Sequence, residues 1–111
     1  MIGLVVAATP GVAGAGNPDY CASGRICVYK NWNFDGGLGW RGTSFSLTNL
    51  STSAEDQVSS WENRRSDNGR WYKGRNGTGT CYTMSAKREN AKMNVFTQSD
   101  TMSSWAGNGA C

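Results

Sequence analysis

Histidine is absent from this sequence of 111 residues. Without it, the usual nucleophile–base pairs of hydrolytic enzymes cannot form, and metal sites built on imidazole are excluded. Acidic residues are few, eight in total. Glu55 and Asp56 are adjacent, so they would point to opposite faces of an extended chain, and no second acid is placed to work with either. We therefore expect that the protein is not an enzyme and requires no cofactor.

The sequence also lacks an apolar run long enough to span a bilayer. Its most apolar stretch, Met1 to Ala15, ends in Ala13-Gly14-Ala15, a small-x-small pattern typical of signal peptidase sites. No Lys or Arg precedes Arg25, so the basic start of a signal peptide is missing. We expect residues 1–15 to be a signal peptide truncated at its start and residues 16–111 to be one secreted domain. A disordered Ala/Gly leader is the alternative.

Cysteine is present four times, but no two cysteines have the C-x-x-C spacing. A zinc site would have to use all four thiolates, and it would lack the short paired spacing of such sites. Two disulfides are therefore the favoured interpretation, and they indicate an oxidising compartment. They would also support a small core in which five Trp, four Tyr and three Phe supply much of the apolar surface. The cysteines are Cys21, Cys27, Cys81 and Cys111.

The net charge is only +3, although basic residues cluster near the middle of the chain. These residues are Arg64, Arg65, Arg70, Lys73 and Arg75, with Trp71 and Tyr72 alongside. Basic and aromatic residues together can indicate nucleic-acid binding. However, Ser66-Asp67-Asn68-Gly69 is a turn signal, which favours a solvated connection. We expect no nucleic-acid partner, and an acidic partner surface is left open.

Two stretches about 43 residues apart repeat one pattern. Each contains a Tyr, a Gly seven residues later and, further along, Asp-x-x-Ser-Ser-Trp. The first copy has Tyr29, Phe34, Gly36 and Glu55-Asp56-Gln57-Val58-Ser59-Ser60-Trp61, and the second has Tyr72, Gly77, Gly79 and Ser99-Asp100-Thr101-Met102-Ser103-Ser104-Trp105. A unit of this size that cannot bury its own apolar face packs against a second copy. The chain is therefore expected to form one duplicated body.

Short β-rich runs separated by Gly, Asn, Ser and Thr predict an all-β sandwich or Greek-key arrangement. The predicted strands are Arg25 to Lys30, Phe45 to Leu50, Val58 to Glu62, Arg70 to Lys73, Thr80 to Met84, Met93 to Thr97 and Met102 to Ala106. Ser85 to Lys92 is expected to form one or two helical turns, with Ser85 as N-cap. Gly36 and Gly79 fall where a hairpin needs a positive φ, with Tyr29 and Tyr72 placed to cover the bend.

The hairpin pattern and the Asp-x-x-Ser-Ser hexads resemble the βγ-crystallin superfamily, in which two Greek-key motifs pair into one domain. The opening Cys21-Ala22-Ser23-Gly24-Arg25-Ile26-Cys27-Val28-Tyr29, followed by Phe34-Asp35-Gly36-Gly37, resembles the small secreted bacterial peptidase inhibitors of that fold, the metalloproteinase-inhibitor type. The resemblance covers about residues 21–106. It implies an all-β sandwich of two motifs, about 21–66 and 67–111, stabilised by two disulfides.

The pairing of the cysteines can also be predicted. Gly24 lies between Cys21 and Cys27 and permits a tight turn that brings them within bridging distance. The second bridge then joins Cys81 to Cys111 and ties the C-terminal tail to the second motif.

The resemblance also implies a candidate calcium site, although the chain departs from the family pattern. The residues that carry over are Asp56, Gln57 and Ser59, with Asp100, Thr101 and Ser103. Glu55 and Ser99 stand where Asn or Asp is expected, Gly77 replaces the second hairpin aromatic, and Lys30 and Lys73 occupy the positions that give a backbone carbonyl to the ion. Because lysine ammonium groups oppose a dication, we expect weak calcium binding or none. The alternative role of these Asp and Ser side chains is to hold the loop backbone.

Three functions are compatible with this sequence. We favour a secreted monomeric inhibitor of a metalloprotease or another extracellular protease. The alternatives are a calcium-binding structural or stress protein and an antimicrobial protein that binds the cell envelope. The candidate reactive loop is Gly77 to Tyr82, with Thr80, Cys81 and Tyr82 at its centre, since Cys81 anchors it and Tyr82 offers a large apolar side chain. The competing interpretation is that Thr80 to Met84 is a core strand with Tyr82 buried.

Overall fold

A computed structural model describes residues 20–111, so the expected leader at residues 1–15 lies outside the described residues. Within that range, eight strands and one 3-10 turn (Arg75–Gly77) follow one another. The strands are β1 (Arg25–Asn31), β2 (Asp35–Gly42), β3 (Thr48–Asn49), β4 (Ser60–Asn63), β5 (Gly69–Tyr72), β6 (Cys81–Met84), β7 (Glu89–Asn90) and β8 (Ser104–Ala106). Across residues 20–111, no helix is long and apolar enough to cross a membrane.

The strands form two four-stranded antiparallel sheets. The order in the first sheet is β2-β1-β4-β7, and in the second it is β3-β8-β5-β6. Each sheet therefore takes three strands from one copy of the repeat and an edge strand from the other copy. This exchange of β3 and β7 confirms the predicted sandwich of two paired Greek-key motifs, because neither copy completes its sheet alone.

The main core contains buried residues from both sheets. Its members are Ile26, Val28, Leu50, Ala54, Val58, Trp61, Trp71, Met84, Met93, Met102 and Trp105. Aromatic contacts close its sides: the Phe45 and Trp105 rings meet edge to face with centroids 5.1 Å apart, and Tyr82 stacks on Trp71 at 4.4 Å. The tryptophans of both Ser-Ser-Trp segments, Trp61 and Trp105, belong to this core.

A second buried cluster lies around the first hairpin and contains Cys21, Cys27, Tyr29 and Phe34. Cys21 and Cys27 form one disulfide, with Cα atoms 5.9 Å apart. Cys81 and Cys111 form the other, at 5.8 Å. Both predicted pairings are thus confirmed, and residues 20–111 contain no free cysteine.

Two sequence predictions are wrong. Residues 85–92 do not form a helix: Lys87 has φ +60°, Ser85 accepts a hydrogen bond from the Arg88 N–H at 3.1 Å, and the chain then enters β7. This turn returns the chain to the first sheet, where β7 pairs with β4, and that tertiary pairing outweighs local helix propensity.

Residues 93–97 do not form a strand either. Met93 is fully buried, but the next residue, Asn94, accepts backbone hydrogen bonds that turn the chain. The other predicted strands are present, and several of them are shorter than predicted. Phe45 to Leu50 contracts to β3, and Val58 to Glu62 begins only at Ser60. β2 was not among the predicted strands, since its glycines obscure the strand signal.

Candidate functional site

The two hairpin turns share one backbone conformation. In each, three residues at matching positions have positive φ: Asn33 (+60°), Phe34 (+61°) and Gly36 (+72°) in the first, and Asn76 (+57°), Gly77 (+70°) and Gly79 (+77°) in the second. The first turn is filled by its own aromatics, since the Tyr29 and Phe34 rings meet at 5.7 Å. In the second, a Cβ added to Gly77 would lie 2.7 Å from Leu47 Cδ2. Leu47 from the first copy therefore lies where the missing aromatic would be.

The second serine of each hexad holds the hairpin turn of its own copy. The Ser60 hydroxyl accepts a hydrogen bond from the Phe34 N–H at 3.2 Å and donates to the Asn31 carbonyl at 2.6 Å. Ser104 repeats this arrangement with the Gly77 N–H at 3.0 Å and the Gly74 carbonyl at 2.6 Å. Both hydroxyls thus satisfy backbone groups of partly buried turns.

The first serine of each hexad contacts the aspartate of the other hexad. Ser59 Oγ donates to Asp100 Oδ1 at 3.3 Å, and Ser103 Oγ donates to Asp56 Oδ1 at 3.2 Å. Backbone bonds cross in the same way, since the Asp56 N–H donates to the Met102 carbonyl and the Asp100 N–H to the Val58 carbonyl. The two hexads therefore form one cross-linked surface, called the hexad end below.

The oxygen donors at the hexad end partly fit a calcium site. Ser59 and Asp100, which belong to different hexads, come together, and Gln57 and Lys30 line the same shallow depression. Each Ser–Asp pair brings only one carboxylate, whereas calcium takes six to eight oxygen ligands. Among residues 20–111, no three His, Cys, Asp or Glu residues gather at one point.

The two departures at the first hexad position have other partners. Ser99 Oγ lies 2.7 Å from Ser59 Oγ, so these hydroxyls hydrogen-bond to each other. Glu55 forms an ion pair with Arg75 at 2.7 Å. Glu55 therefore neutralises a basic residue of the second hairpin turn, next to the candidate reactive loop.

The candidate loop from Gly77 to Tyr82 divides into an exposed part and a strand. Thr78, Gly79 and Thr80 are exposed, and the Gly74 and Lys73 N–H groups donate to the Thr78 and Thr80 carbonyls at 2.8 and 3.1 Å. Cys81 and Tyr82 belong to β6, at the edge of the second sheet.

The side chain of Tyr82 is half-buried in its stack on Trp71. The structure thus brings Thr80 to the surface and anchors Cys81 through Cys111, while it packs the Tyr82 ring against the core.

The clustered basic residues bond within the molecule. The guanidinium groups of Arg64, Arg65 and Arg70 donate to the Cys21 carbonyl, the Asp67 carboxylate and the Tyr72 hydroxyl, respectively. These contacts fix the connection between the two copies, but Arg65 is buried, so the solvated-turn interpretation is wrong for this residue.

One buried acid lies on the first sheet, away from these loops. Glu62 Oε1 accepts a hydrogen bond from the Tyr29 hydroxyl at 2.9 Å. Burial raises the pKa of Glu62 above its ordinary value, and the hydrogen bond from Tyr29 opposes this only in part. Burial and the neighbouring Glu62 also raise the pKa of Tyr29, so its hydroxyl remains a donor.

Sequence reasoning missed the most exposed large apolar side chain among residues 20–111. Phe96 is 92% exposed, and Val95 beside it is 53% exposed. Both residues fall in the strand that the sequence predicts from Met93 to Thr97. The signal that could have located them is Asn94, since Asn side chains commonly bond the backbone two residues on and form a turn.

Comparisons with known proteins agree with this geometry. A family model for peptidase inhibitor family I36 matches residues 14–84. A comparison with curated proteins gives no match.

Among solved structures, a βγ-crystallin domain from work on the evolution of the eye lens fold is 23% identical, with a TM-score of 0.64 over 83% of this chain and 89% of that chain. A domain from Flavobacterium johnsoniae is 24% identical (TM-score 0.58, 78% and 98% covered), and one from an archaeon is 18% identical (TM-score 0.60, 78% and 99% covered). At these identities, the similarity shows the βγ-crystallin fold.

Proposed function

Because this chain belongs to peptidase inhibitor family I36, we propose that it is a secreted inhibitor of an extracellular peptidase, either a metallopeptidase or a serine peptidase. The family match over residues 14–84 carries the proposal. The two disulfides support secretion, since such bonds persist in oxidising compartments. The βγ-crystallin fold alone would not decide the function, because one fold hosts many functions.

The proposed contact is the segment from Gly77 to Tyr82. Thr78, Gly79 and Thr80 are exposed, and the disulfide from Cys81 to Cys111 fixes the end of the segment. A loop ordered before binding loses less conformational entropy when it enters a cleft. Tyr82 supports the segment from behind through its stack on Trp71, so Thr80 and the loop backbone make the closest contact.

The test is inhibition of a thermolysin-type metallopeptidase and of a subtilisin-type serine peptidase by the intact protein. Thr80→Glu places a charge on an exposed position and should weaken inhibition about tenfold or more if this segment lies in the interface. Ser66→Glu is the matched control, because Ser66 is exposed in the connection between the two copies. Equal inhibition by both variants would remove this segment from the interface and leave the function standing.

Calcium binding is a second candidate function, favoured by one observation. The Ser59–Asp100 and Ser103–Asp56 pairs bring oxygen atoms of both copies together. The bordering Lys30 and the single carboxylate of each pair limit the affinity. We therefore propose that calcium has at most a weak structural role here.

A further inference from the structure

The loop of residues 94–99 presents two apolar side chains to solvent. Phe96 is 92% exposed and Val95 is 53% exposed. The fold gains almost nothing from them there, since an exposed phenyl ring buries little apolar surface. This loop follows β7 and leads into the second hexad.

The loop is held in one conformation by Asn94. Its side-chain Oδ1 accepts the Phe96 N–H at 2.8 Å. Its backbone carbonyl accepts the N–H groups of Gln98 and Ser99 at 2.9 and 2.8 Å. Three hydrogen bonds to one residue close the turn, so Phe96 is presented on an ordered backbone.

Both ends of the loop are anchored to the hexad of the first copy. On one side, Met93 is fully buried and its N–H donates to the Ser59 carbonyl at 3.0 Å. On the other side, Ser99 Oγ lies 2.7 Å from Ser59 Oγ, and the Asp100 N–H donates to the Val58 carbonyl at 2.8 Å. The loop is therefore a rigid projection from the hexad end.

Beside Phe96 lies a shallow groove with apolar and basic character. Its lining includes Trp32, which is 39% exposed, and Lys92, whose Nζ lies 4.5 Å from the Trp32 ring centroid. No carboxylate of residues 20–111 lines this groove. A projecting phenyl ring flanked by an indole and an ammonium group fits a partner with an apolar pocket and an acidic or neutral rim.

We propose that loop 94–99 binds the target peptidase, with Phe96 in a specificity pocket that accepts large apolar side chains and with Trp32 and Lys92 at the rim. This rests on the proposed inhibitory function and assigns it a second contact segment. Preorganised loops that carry one aromatic anchor are typical of tight interfaces, where a few buried aromatic residues supply most of the binding energy.

The anchors of the two proposed contact segments lie close together along the chain. Loop 94–99 is anchored at Ser59, and the second hairpin turn is anchored at Glu55 through Arg75. Glu55 and Ser59 are four positions apart in the sequence, so they lie at most about 14 Å apart. A standard interface buries about 800 Å² on each partner, which is wide enough to include both.

The test compares Phe96→Ala with Phe96→Leu and with the unmodified protein against the thermolysin-type and subtilisin-type peptidases. Because Phe96 contributes little to the fold, both variants should keep the melting temperature. Phe96→Ala should raise the inhibition constant about 30-fold or more, the size of a hot-spot effect. Phe96→Leu should keep most of the inhibition, since an apolar pocket accepts either side chain.

The outcomes separate the two proposals. If the unmodified protein inhibits and Phe96→Ala inhibits within about twofold of it, this inference is overturned and the inhibitory function stands. If the unmodified protein inhibits neither peptidase, both are overturned for these classes. Phe96-dependent binding to phosphatidylglycerol vesicles, with inhibition unchanged in Phe96→Ala, would also overturn it in favour of a membrane partner.

Discussion

The buried hydroxyl of Ser104 bonds two backbone groups of the second hairpin turn. It accepts from the Gly77 N–H and donates to the Gly74 carbonyl. Ser60 does the same in the first copy. In each hexad, the first serine therefore contacts the other copy, and the second serine closes the hairpin turn of its own copy.

Removing the Ser104 hydroxyl should therefore destabilise the protein. Ser104→Ala leaves the Gly77 N–H and the Gly74 carbonyl of this half-buried turn without their partner, and we expect a loss of about 1–3 kcal/mol in the free energy of unfolding. Chemical denaturation measures it. Ser66→Ala, at an exposed position, should stay within about 0.5 kcal/mol of the unmodified protein. Equal stability of the two variants would contradict the structural role of the hexad serine.

Calcium should change stability little. The depression beside Ser59 and Asp100 is bordered by Lys30, so we expect millimolar Ca²⁺ to raise the melting temperature by less than about 2 °C. Differential scanning calorimetry measures this, with Mg²⁺ as the ionic control. A rise of about 10 °C or more that is lost in Asp100→Ala would show that this position holds the ion after all.

Glu62 makes stability depend on pH. Its pKa is raised above the ordinary value of 4.5 by burial, so the folded state holds the proton more tightly than the unfolded state. The contribution of Glu62 to the free energy of unfolding is fully present below pH 4.5 and is lost as the pH rises through the raised pKa. Glu62→Gln keeps an oxygen for the Tyr29 hydroxyl and removes the charge.

Thermal unfolding from pH 4 to neutrality checks this. We expect the melting temperature of Glu62→Gln to change less over this range than that of the unmodified protein. If the melting temperatures of the two proteins changed equally with pH, Glu62 would not be the source of the pH dependence.

Among the larger elements, the second disulfide fixes β6 and the C-terminal tail. Cys81 and Cys111 are separated by 30 residues and neither is fully buried, so its loss acts mainly through the entropy of the unfolded chain. The double variant Cys81→Ala, Cys111→Ala should lose about 3–4 kcal/mol. Denaturation under non-reducing conditions measures it. A loss below about 1 kcal/mol would mean that the bridge does not restrain the unfolded chain.

The elements that were predicted correctly are those that two sequence features indicate together. The hairpin turns combine a Gly with a Tyr at fixed spacing, and Gly36 and Gly79 do have positive φ. The strand around Trp105 was predicted because a short β-rich run coincides there with the end of the second hexad. Gly77 was noted as a departure, but the sequence could not show that Leu47 packs against it, because that contact joins the two copies.

The elements that were predicted wrongly depend on contacts between the two copies. Residues 85–92 have helix-favouring composition, yet β7 pairs with β4. Residues 93–97 contain three apolar side chains, but only Met93 is buried. Apolar character alone did not reveal that Val95 and Phe96 face solvent. The sequence named Thr80, Cys81 and Tyr82 as a candidate contact, which stays a prediction, and it did not identify the exposed loop that carries Phe96.

At the scale of the whole molecule, the exchange of β3 and β7 makes one body from two motifs. The cross-paired hexads lie where the motifs meet, and they anchor both loops proposed to contact the peptidase. The duplication thus provides a rigid base from which two different loops project. The first copy supplies the anchors and Trp32, and the second supplies Thr80, Lys92 and Phe96.

Titration of an active-site-calibrated peptidase with the intact, disulfide-bonded protein tests the central claim most directly. If the protein is an inhibitor, residual activity of the thermolysin-type or the subtilisin-type peptidase should fall with added protein and reach zero near one equivalent for a tight complex. Heat-unfolded and reduced protein should have no effect, because the loops are then no longer ordered. Full activity of both peptidases at micromolar excess of the folded protein would contradict the inhibitory function.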